Sequence, residues 1–410
     1  MVSRGESSES SPTRAHLGYV DGLRALAALY VLIGHMWLEC FPIVYGPSRL
    51  PTGRFAALTG WMLYSHFAVS VFIVISGFCL ALPVMRSGGR LRGGALAFYK
   101  RRIRRIVPPF YAAVAFSLLC IWLLIGQKTG THWDFGLPVT PRDVLMHVVL
   151  LQDIFAQFKI NSVFWSIAVE FRIYILFPLF VVLLREGRAL PLLALGVLAP
   201  LIYYLRVGGT LFPQSGDLAA LNQGFTGIAP SYICLFALGM LAARLACAPR
   251  REGASPPRAF PWTAAAIALF ASIIALSYLF GGYFGFTNYR WAVLDLLVGL
   301  CAFCVLVRCA LPRQTALRRV LGWRPLAFVG TFAYSIYLIH FPLEQIIWQY
   351  LIHPLGLNAY GTFVVMLPVA TPLILGASYL FFLIAERPFL HARASRRPTS
   401  DRVIGASEGL

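Results

Sequence analysis

An arginine and a histidine eleven positions apart, Arg24 and His35, form the first arrangement in this chain that could do chemistry. The residues between them, Ala25 to Gly34, are uncharged and mostly apolar. On an α-helix, eleven steps return to nearly the same face and separate the two residues by roughly 16 Å along the axis. If Arg24 lies at a membrane surface, His35 lies near the bilayer midplane. An ionisable group is costly there, so its presence indicates a functional role.

Glu39, one helical turn after His35, is close enough to orient the imidazole. A neutral histidine held by a carboxylate is the usual form of a general base that takes a proton from a hydroxyl group. Gly34 leaves space for a substrate or a neighbouring helix. The alternative is a histidine whose only role is a hydrogen bond between helices.

A cluster of basic residues provides a second candidate site. Five of the six residues from Lys100 to Arg105 are basic, and we expect Pro108 in the first turn of the helix that follows. Such a loop can determine membrane topology or bind anionic lipid. It can also bind phosphates, because arginine guanidinium groups form paired hydrogen bonds with phosphate oxygens. The latter interpretation predicts that a phosphate-rich cofactor docks here from the cytoplasm.

Glu170 lies within an apolar segment, between Trp165 and Tyr174, and is a third candidate. Arg172 is two positions away and cannot share its helical face, since only residues three or four apart meet. Glu170 must therefore pair across helices, stay protonated or face a polar cavity. His35 and a substrate hydroxyl are candidate partners, and a structural pair between helices is the alternative.

Tyr337, His340 and Glu344 share one helical face and form a fourth candidate. Pro342, between them, is predicted to kink the helix and free backbone carbonyls. The spacing fits a structural polar seam as well as the wall of an active site. Glu386, near the end of the apolar region, is a weaker signal that we interpret as an interfacial cap or ion pair.

The composition identifies the elements that must position these residues as membrane helices. Hydrophobic residues make up 59% of the 410 residues and charged residues only 12%, with a mean hydropathy of +0.72, whereas a soluble domain has about 25% charged residues. The net charge of +19 does not predict a nucleic-acid partner, because the basic residues cluster in short loops between apolar segments. Most of the eight cysteines fall in apolar segments without metal-type spacing, so we predict buried free thiols and no metal site.

The apolar segments predict an all-α, polytopic membrane bundle of about ten transmembrane helices in the cytoplasmic (inner) membrane. Most basic residues fall in alternate connections, which places both termini in the cytoplasm. The predicted domains are a polar N-terminus (1–18), a membrane domain (19–388) and a disordered cytoplasmic tail (389–410). The longest outer connection, 127–162, contains a half-apolar stretch, 144–158, which predicts an interfacial or re-entrant helix. The predicted spans are 19–41, 64–85, 107–126, 163–184, 189–206, 226–246, 260–281, 290–311, 325–350 and 361–384.

Six short motifs follow one another along these spans. They are Arg24 with His35; Val71–Phe78, which ends in Ser-Gly-Phe; Arg101, Arg102, Arg105, Ile106 and Pro108; Trp165, Ser166 and Glu170; Tyr334–His340; and Glu386–Pro388. With these motifs in this order, the chain resembles the acyltransferase type 3 family of membrane O-acyltransferases over nearly its whole length. It departs from the family at Phe171, where members often carry a second acidic residue. Glu170 therefore has no adjacent carboxylate.

The resemblance implies transfer of an acyl group, usually acetyl, from acyl-coenzyme A as a co-substrate, with no permanently bound cofactor. The acceptor would be a hydroxyl on a cell-surface glycan, a lipid-linked sugar, or a sugar or macrolide natural product. Many family members also carry a C-terminal esterase-like domain, which we do not expect here. By matching positions, the resemblance implies His35 as the catalytic histidine, Arg24 as its motif partner and Glu170 as a second essential polar residue. It also implies that Arg102 and Arg105, with Arg101 of the same motif, contact the coenzyme A phosphates.

These expectations combine into one mechanism. Acyl-coenzyme A docks with its phosphates on the basic cluster, and its thioester reaches along a polar channel to His35. His35 then acts as a general base on the acceptor hydroxyl or as a transient acyl carrier, and either Glu39 or Glu170 orients it. The sequence leaves both choices open. Candidates for stabilising the oxyanion or supporting the site are Ser76, Tyr337, the backbone amides near Gly34, Trp165 and His340.

Two other classes of protein fit part of the sequence. A secondary transporter or flippase would explain ten helices with charged groups inside them, but transporters often show inverted repeats and paired broken helices, and neither is evident here. A lipid-binding scaffold would explain the basic cluster but not the pairing of Arg24 with His35. The enzyme is the interpretation that accounts for all four candidate sites.

Overall fold

The computed structural model describes residues 17–155, 158–185, 230–247, 260–285, 288–311 and 315–391, together with positions 191, 193, 194 and 198. Every regular element in these ranges is helical, as predicted. The α-helices are α1 (Gly18–Cys40), α2 (Gly53–Thr59), α3 (Phe67–Arg86), α4 (Gly94–Cys120), α5 (Pro141–Val148), α6 (Trp165–Arg185), α7 (Pro230–Ala246), α8 (Trp262–Leu279), α9 (Asn288–Ala310), α10 (Ala316–Leu321), α11 (Arg324–Thr331), α12 (Ala333–Ile347), α13 (Ala359–Phe381) and α14 (Arg387–His391).

Several of these helices are long and apolar enough to cross a membrane. Within the described residues there are seven such helices, or eight if the bent pair α11 and α12 is one span. Helix α7 is apolar but shorter. The chain is therefore a multi-pass membrane protein, whereas the count of ten spans and the placement of the termini stay predictions. The predicted span 189–206 lies almost wholly outside the described residues, as do positions 1–16 and 392–410 of the predicted termini.

The basic cluster lies on a helix, not in the loop that the sequence predicts. Helix α4 begins at Gly94, which like the preceding Gly93 has a φ of 74°, and continues without interruption to Cys120. Lysine, arginine, leucine and alanine are good helix formers, which explains the early start. Pro108 consequently lies inside the helix and not in its first turn. The helix fixes the direction in which each arginine side chain leaves the helix axis, so neighbouring arginines point into different surroundings.

The penultimate span bends at Phe332, where helices α11 and α12 meet at 72°. Helix α12 continues past Pro342, and the predicted kink at that proline stays a prediction. The predicted release of a carbonyl is confirmed, because Pro342 has no N–H for the carbonyl of Leu338. The side-chain amide of Asn161 donates to that carbonyl at 3.1 Å, so the polar group is paired inside the bundle.

The connection 127–162 folds back into the bundle. Its short 3-10 turn, His132–Gly136, buries the whole side chain of Trp133, which packs on Phe341 with ring centroids 4.9 Å apart. Helix α5 follows, with a reciprocal cap between Thr140 and Asp143. The predicted re-entrant stretch was 144–158, but the buried entry point lies earlier, where aromatic area can pack between helices.

Arg172, which had no partner in the sequence, holds the end of this connection. Its guanidinium binds both carboxylate oxygens of Asp153, and it also donates to the carbonyl of Leu150 at 3.3 Å. Asp153 is only 1% exposed. The ion pair therefore joins the returning connection to helix α6, and both charges are paired where burial would otherwise be costly.

Candidate active site

His35 is oriented by its own helix. Its Nδ1 lies 3.0 Å from the carbonyl oxygen of Val31, and because a carbonyl only accepts, Nδ1 carries the hydrogen and Nε2 carries the lone pair. Neither predicted carboxylate performs this role. Glu39 accepts the backbone N–H of Trp133 at 3.2 Å, and Glu170 binds other hydroxyl groups. The open choice between Glu39 and Glu170 is therefore settled against both.

His35 lines a cavity of about 560 Å³, which we call the histidine cavity. Its volume is in the range of pockets that bind small molecules. The connection 127–162 and helices α1 and α6 all contribute to its wall. The polar and aromatic residues that characterise it are His35, His66, His132, Trp165, Tyr283 and Tyr337.

A second cavity, of about 210 Å³, contains three converging guanidinium groups, and we call it the arginine cavity. Arg24 pairs with Asp21 at 2.9 Å, and its other nitrogen donates to the Cys79 sulfur at 3.2 Å. The Nε of Arg102 is buried without a hydrogen-bond partner in the described protein. Arg105 lines the same cavity and is exposed. This concentration of positive charge suits a phosphate-bearing ligand.

Arg101 differs from its two motif neighbours, because it does not line the arginine cavity. Its guanidinium donates to the carbonyl of Arg92 at 3.1 Å, on the connection before α4. Of the three predicted phosphate contacts, the structure thus brings Arg102 and Arg105 together and leaves Arg101 elsewhere.

Glu170 belongs to the arginine cavity and not to the surroundings of His35. It accepts hydrogen bonds from the hydroxyls of Ser76 and Tyr174. Glu386 lines the same cavity and accepts the Ser335 hydroxyl at 2.7 Å. The interpretation of Glu386 as an interfacial cap or ion pair stays a prediction. Its partner Ser335 comes from another helix, which sequence spacing does not show.

Tyr337 lies where the two cavities meet, since it lines both of them. Its hydroxyl donates to the carbonyl of Val163 at 2.9 Å and lies 2.7 Å from the hydroxyl of Ser166. Two of the predicted oxyanion donors, Tyr337 and Ser76, thus give their hydrogens to other groups of the protein. The side chain of Ser65 packs against Gly34 and would lie 2.2 Å from a Cβ added there. The space that Gly34 leaves is therefore filled by the segment that carries Ser65.

Two more histidines surround His35. The ring of His340 lies 5.1 Å from it and the ring of His132 lies 6.0 Å from it, measured between centroids. The sequence singled out His340 but gave no signal for His132, which the re-entrant connection delivers. Burial, with repulsion from His35, lowers the pKa of His132 to about 3. His132 is therefore uncharged at neutral pH.

His66 and Asp295 are further polar residues that the motifs did not reveal. The His66 ring stacks on the predicted site residue Trp165, with centroids 5.5 Å apart and planes at 12°. Its Nε2 lies 3.9 Å from Asp295, which accepts the Ser70 hydroxyl at 2.5 Å. Within the described residues, no group of three or more His, Cys, Asp or Glu is arranged to hold a metal ion.

Comparison with known proteins identifies the family of the chain. A family model described as an acyltransferase domain (acyltransferase type 3) matches residues 17–385. The chain belongs to the acyltransferase type 3 family. Each of the six motifs contributes at least one residue to the arginine cavity or the histidine cavity, whereas Arg101, Pro108 and His340 are among the motif residues that line neither. No solved structure matches the chain.

Three curated relatives indicate the range of the family. The chain is 24% identical over 338 residues to the "Putative peptidoglycan O-acetyltransferase YrhL" of Bacillus subtilis, covering 79% of this chain and 48% of the relative. It is 29% identical over 212 residues to the acyltransferase MdmB of Streptomyces mycarofaciens, covering 51% and 50%. It is 26% identical over 181 residues to the O-acetyltransferase OatA of Staphylococcus aureus, covering 41% and 25%. The chain thus spans half or less of the length of these relatives.

Proposed function

We propose that this protein is an O-acyltransferase that moves an acyl group, most simply acetyl, from acyl-coenzyme A to a hydroxyl group. The observation that carries the proposal is the meeting of two chemically different cavities at shared wall residues, Val69 and Tyr337. The arginine cavity holds three guanidinium groups, the histidine cavity holds His35, and Tyr337 lines both. A phosphate-bearing donor and a hydroxyl-bearing acceptor would therefore approach each other from opposite sides.

The donor occupies the arginine cavity in this proposal. A volume of about 210 Å³ is too small for the whole of coenzyme A, so its phosphates lie at the mouth, where Arg105 is exposed. The narrow pantetheine arm extends inward past Arg102 towards Tyr337. Asp21 neutralises Arg24, which leaves Arg102 and Arg105 as the principal phosphate contacts. We place this mouth at the cytoplasmic side of the plasma membrane, because the basic residues of the chain cluster in connections assigned to that side.

The acceptor occupies the histidine cavity in this proposal. The name of the Bacillus subtilis relative mentions peptidoglycan, and our proposed acceptors are a glycan, a lipid-linked sugar or a macrolide. Trp165, stacked on His66, offers an aromatic face and an indole N–H towards such a ligand. This cavity is the larger of the two, as a bulky acceptor requires.

The tautomer of His35 provides the reactive atom. With Nδ1 bound to the carbonyl of Val31, the Nε2 lone pair is available. It takes the proton of the acceptor hydroxyl while the oxygen forms a bond to the acyl carbon and the bond from that carbon to sulfur breaks. The thiolate receives the proton and leaves as coenzyme A. The same lone pair would attack the thioester if the acyl group rests transiently on His35.

The test compares His35→Gln with His147→Gln in membranes. His147 is a matched control, because its Nδ1 also binds the carbonyl four residues earlier, Asp143, at 2.7 Å, while its ring packs on Phe164 outside both cavities. Membranes are given radiolabelled acetyl-coenzyme A, and base-labile label is measured in extracted lipids, glycans and small glycosides. We expect His35→Gln to lower transfer at least 100-fold, in the range of general-base catalysis, and His147→Gln to keep it.

Two results would reject the proposed function. One is a His35→Gln protein that transfers acetyl at the rate of the unsubstituted protein. The other is label incorporation that does not exceed that of membranes lacking the protein, with uptake or flipping of a solute that needs no acyl donor. The second result would favour the transporter.

A further inference from the structure

The two cavities share very little of their walls. Within the described residues, only Val69 of helix α3 and Tyr337 of helix α12 line both the arginine cavity and the histidine cavity. We call the wall that these two side chains form the neck. An acyl group that leaves a donor in one cavity for an acceptor in the other must therefore react at the neck.

Tyr337 gives the neck one fixed side. Its hydroxyl donates to the carbonyl of Val163 at 2.9 Å and lies 2.7 Å from the hydroxyl of Ser166. Its ring meets the ring of Phe72 at 72°, with centroids 6.0 Å apart. Moving the ring aside would break these hydrogen bonds inside the bundle, which is costly for buried polar groups.

Val69 gives the neck its other side. It lies in the first turn of helix α3, where its backbone N–H donates to the carbonyl of His66 at 3.0 Å. The residue is 6% exposed. A valine branches at Cβ and has one strongly preferred side-chain rotamer in a helix. The width of the neck therefore depends on the two methyl groups of Val69.

Both cavities are occupied when the acyl group is transferred. In the proposed function the pantetheine arm lies in the arginine cavity and the acceptor lies in the histidine cavity. The acceptor oxygen forms a bond to the acyl carbon as the bond from that carbon to sulfur breaks, and the proton passes through His35 to the thiolate. The rest of the acyl group then has only the neck to occupy. The width of the neck thus limits the length of the acyl chain.

We propose that Val69 is a specificity-determining residue that restricts the donor to acetyl-coenzyme A. The inference rests on the proposed function and adds the class of acyl group to it. One extra methylene in an apolar site changes the specificity for a substrate by roughly 10- to 200-fold. Propionyl-coenzyme A should therefore react at least about 10-fold less efficiently than acetyl-coenzyme A, and butyryl-coenzyme A should react less efficiently still.

The experiment compares acetyl-, propionyl- and butyryl-coenzyme A, each radiolabelled in its acyl group, as donors in membranes that contain the protein. The measured quantity is the maximum rate divided by the KM for each donor. Val69→Ala removes two carbon atoms, as many as butyryl has beyond acetyl, and should raise the ratio of butyryl to acetyl transfer at least about 10-fold. Val69→Ile adds one methylene and should lower the ratio of propionyl to acetyl transfer by a similar factor.

Val84 provides the matched control. It lies on the same helix, is also 6% exposed, and lines neither cavity. Val84→Ala leaves the same kind of buried void as Val69→Ala, and we expect the ratios between donors to stay unchanged. A loss of folded protein would lower the rates with all donors alike, whereas a change in the neck alters their ratio.

Competition between donors shows where the selection acts. Butyryl-coenzyme A carries the same phosphates as acetyl-coenzyme A. In the unsubstituted protein it should therefore compete with acetyl-coenzyme A for Arg102 and Arg105 while being transferred poorly. Failure to compete would overturn the proposal, because the longer acyl group would then be excluded from the arginine cavity and not at the neck.

The remaining outcomes are distinguishable. No transfer from any donor by the unsubstituted protein would reject the proposed function and the inference with it. Equal transfer of acetyl and butyryl by the unsubstituted protein would reject the role of Val69 and leave the proposed function intact. An unchanged ratio of donors in Val69→Ala, or an equal shift in Val84→Ala, would also overturn it. If Val69→Ala does not fold, the donor ratios of Val69→Ile decide in the same way.

Discussion

Removing the Arg102 guanidinium, by Arg102→Gln, should weaken acetyl-coenzyme A binding without slowing the chemical step. Arg102 lines the arginine cavity, and its Nε is buried without a partner in the described protein. A charge-assisted hydrogen bond contributes about 1.5 to 3 kcal/mol, and each 1.4 kcal/mol is a factor of ten. We therefore expect the KM for acetyl-coenzyme A to rise roughly 10- to 100-fold.

The two neighbouring arginines calibrate this prediction. Arg105→Gln should raise KM by less, about tenfold or below, because Arg105 is exposed and solvent screens its charge. Arg101→Gln is the matched control, since it removes the same charge from the same helix but outside the cavity. Its KM should stay within about twofold of that of the unsubstituted protein.

The assay is the initial rate of radiolabelled acetyl transfer as a function of acetyl-coenzyme A concentration. The maximum rate should be unchanged in Arg102→Gln, because the phosphates are remote from the reacting carbon and contribute equally to the ground and transition states. An unchanged KM in Arg102→Gln, or an equal rise in Arg101→Gln, would refute the assignment of the arginine cavity to the donor. A second probe is acetyl-dephospho-coenzyme A, whose missing phosphate should cost the variant less than the unsubstituted protein.

Three further predictions concern stability. Burial lowers the pKa of His132 in the folded protein to about 3, whereas a histidine in the unfolded chain has a pKa near 6.5, so protonation at pH 5 lowers the free energy of unfolding by about 2 kcal/mol. His132→Gln should therefore lose less thermal stability between pH 7 and pH 5 than the unsubstituted protein, and equal losses in the two proteins would contradict this. Arg172→Met should lower the free energy of unfolding by about 3 to 5 kcal/mol, because it leaves the buried Asp153 unpaired. The double variant with Asp153→Asn should recover part of this loss, and an unchanged melting temperature in Arg172→Met would show that the ion pair does not stabilise the fold. Gly239→Ala places a Cβ 2.0 Å from a backbone carbonyl, whereas at Gly376 an added Cβ meets no described atom within 4 Å; only the former should reduce the folded yield in size-exclusion chromatography.

Local patterns were sufficient for the class of fold and for the position of the motifs. The apolar runs predict membrane helices because an unpaired backbone in lipid is prohibitively costly, whatever the rest of the chain does. The same reasoning places Arg24 and His35 on one helix, and α1 contains both. The family resemblance, and not a local pattern, singled out Arg102 and Arg105, and the structure places both in one cavity. It did not exclude Arg101, whose guanidinium binds the carbonyl of Arg92 on the preceding connection.

The partners of charged residues were not predictable, because they come from distant parts of the chain. Arg172 binds Asp153 and Glu170 binds Ser76, and neither pairing follows a helical spacing. The bend at Phe332 and the hydrogen bond from Asn161 to the carbonyl of Leu338 were not predictable for the same reason.

By itself, the sequence determined that this protein is a helical membrane protein with a histidine and a set of arginines at defined positions along its helices. That information is local, because the cost of placing each residue in lipid depends mainly on the residue and its neighbours on the same helix. Only the tertiary structure decided what the histidine meets. His132 arrives on a folded-back connection and His340 on an opposing helix, and such contacts depend on packing between segments that are far apart in the chain.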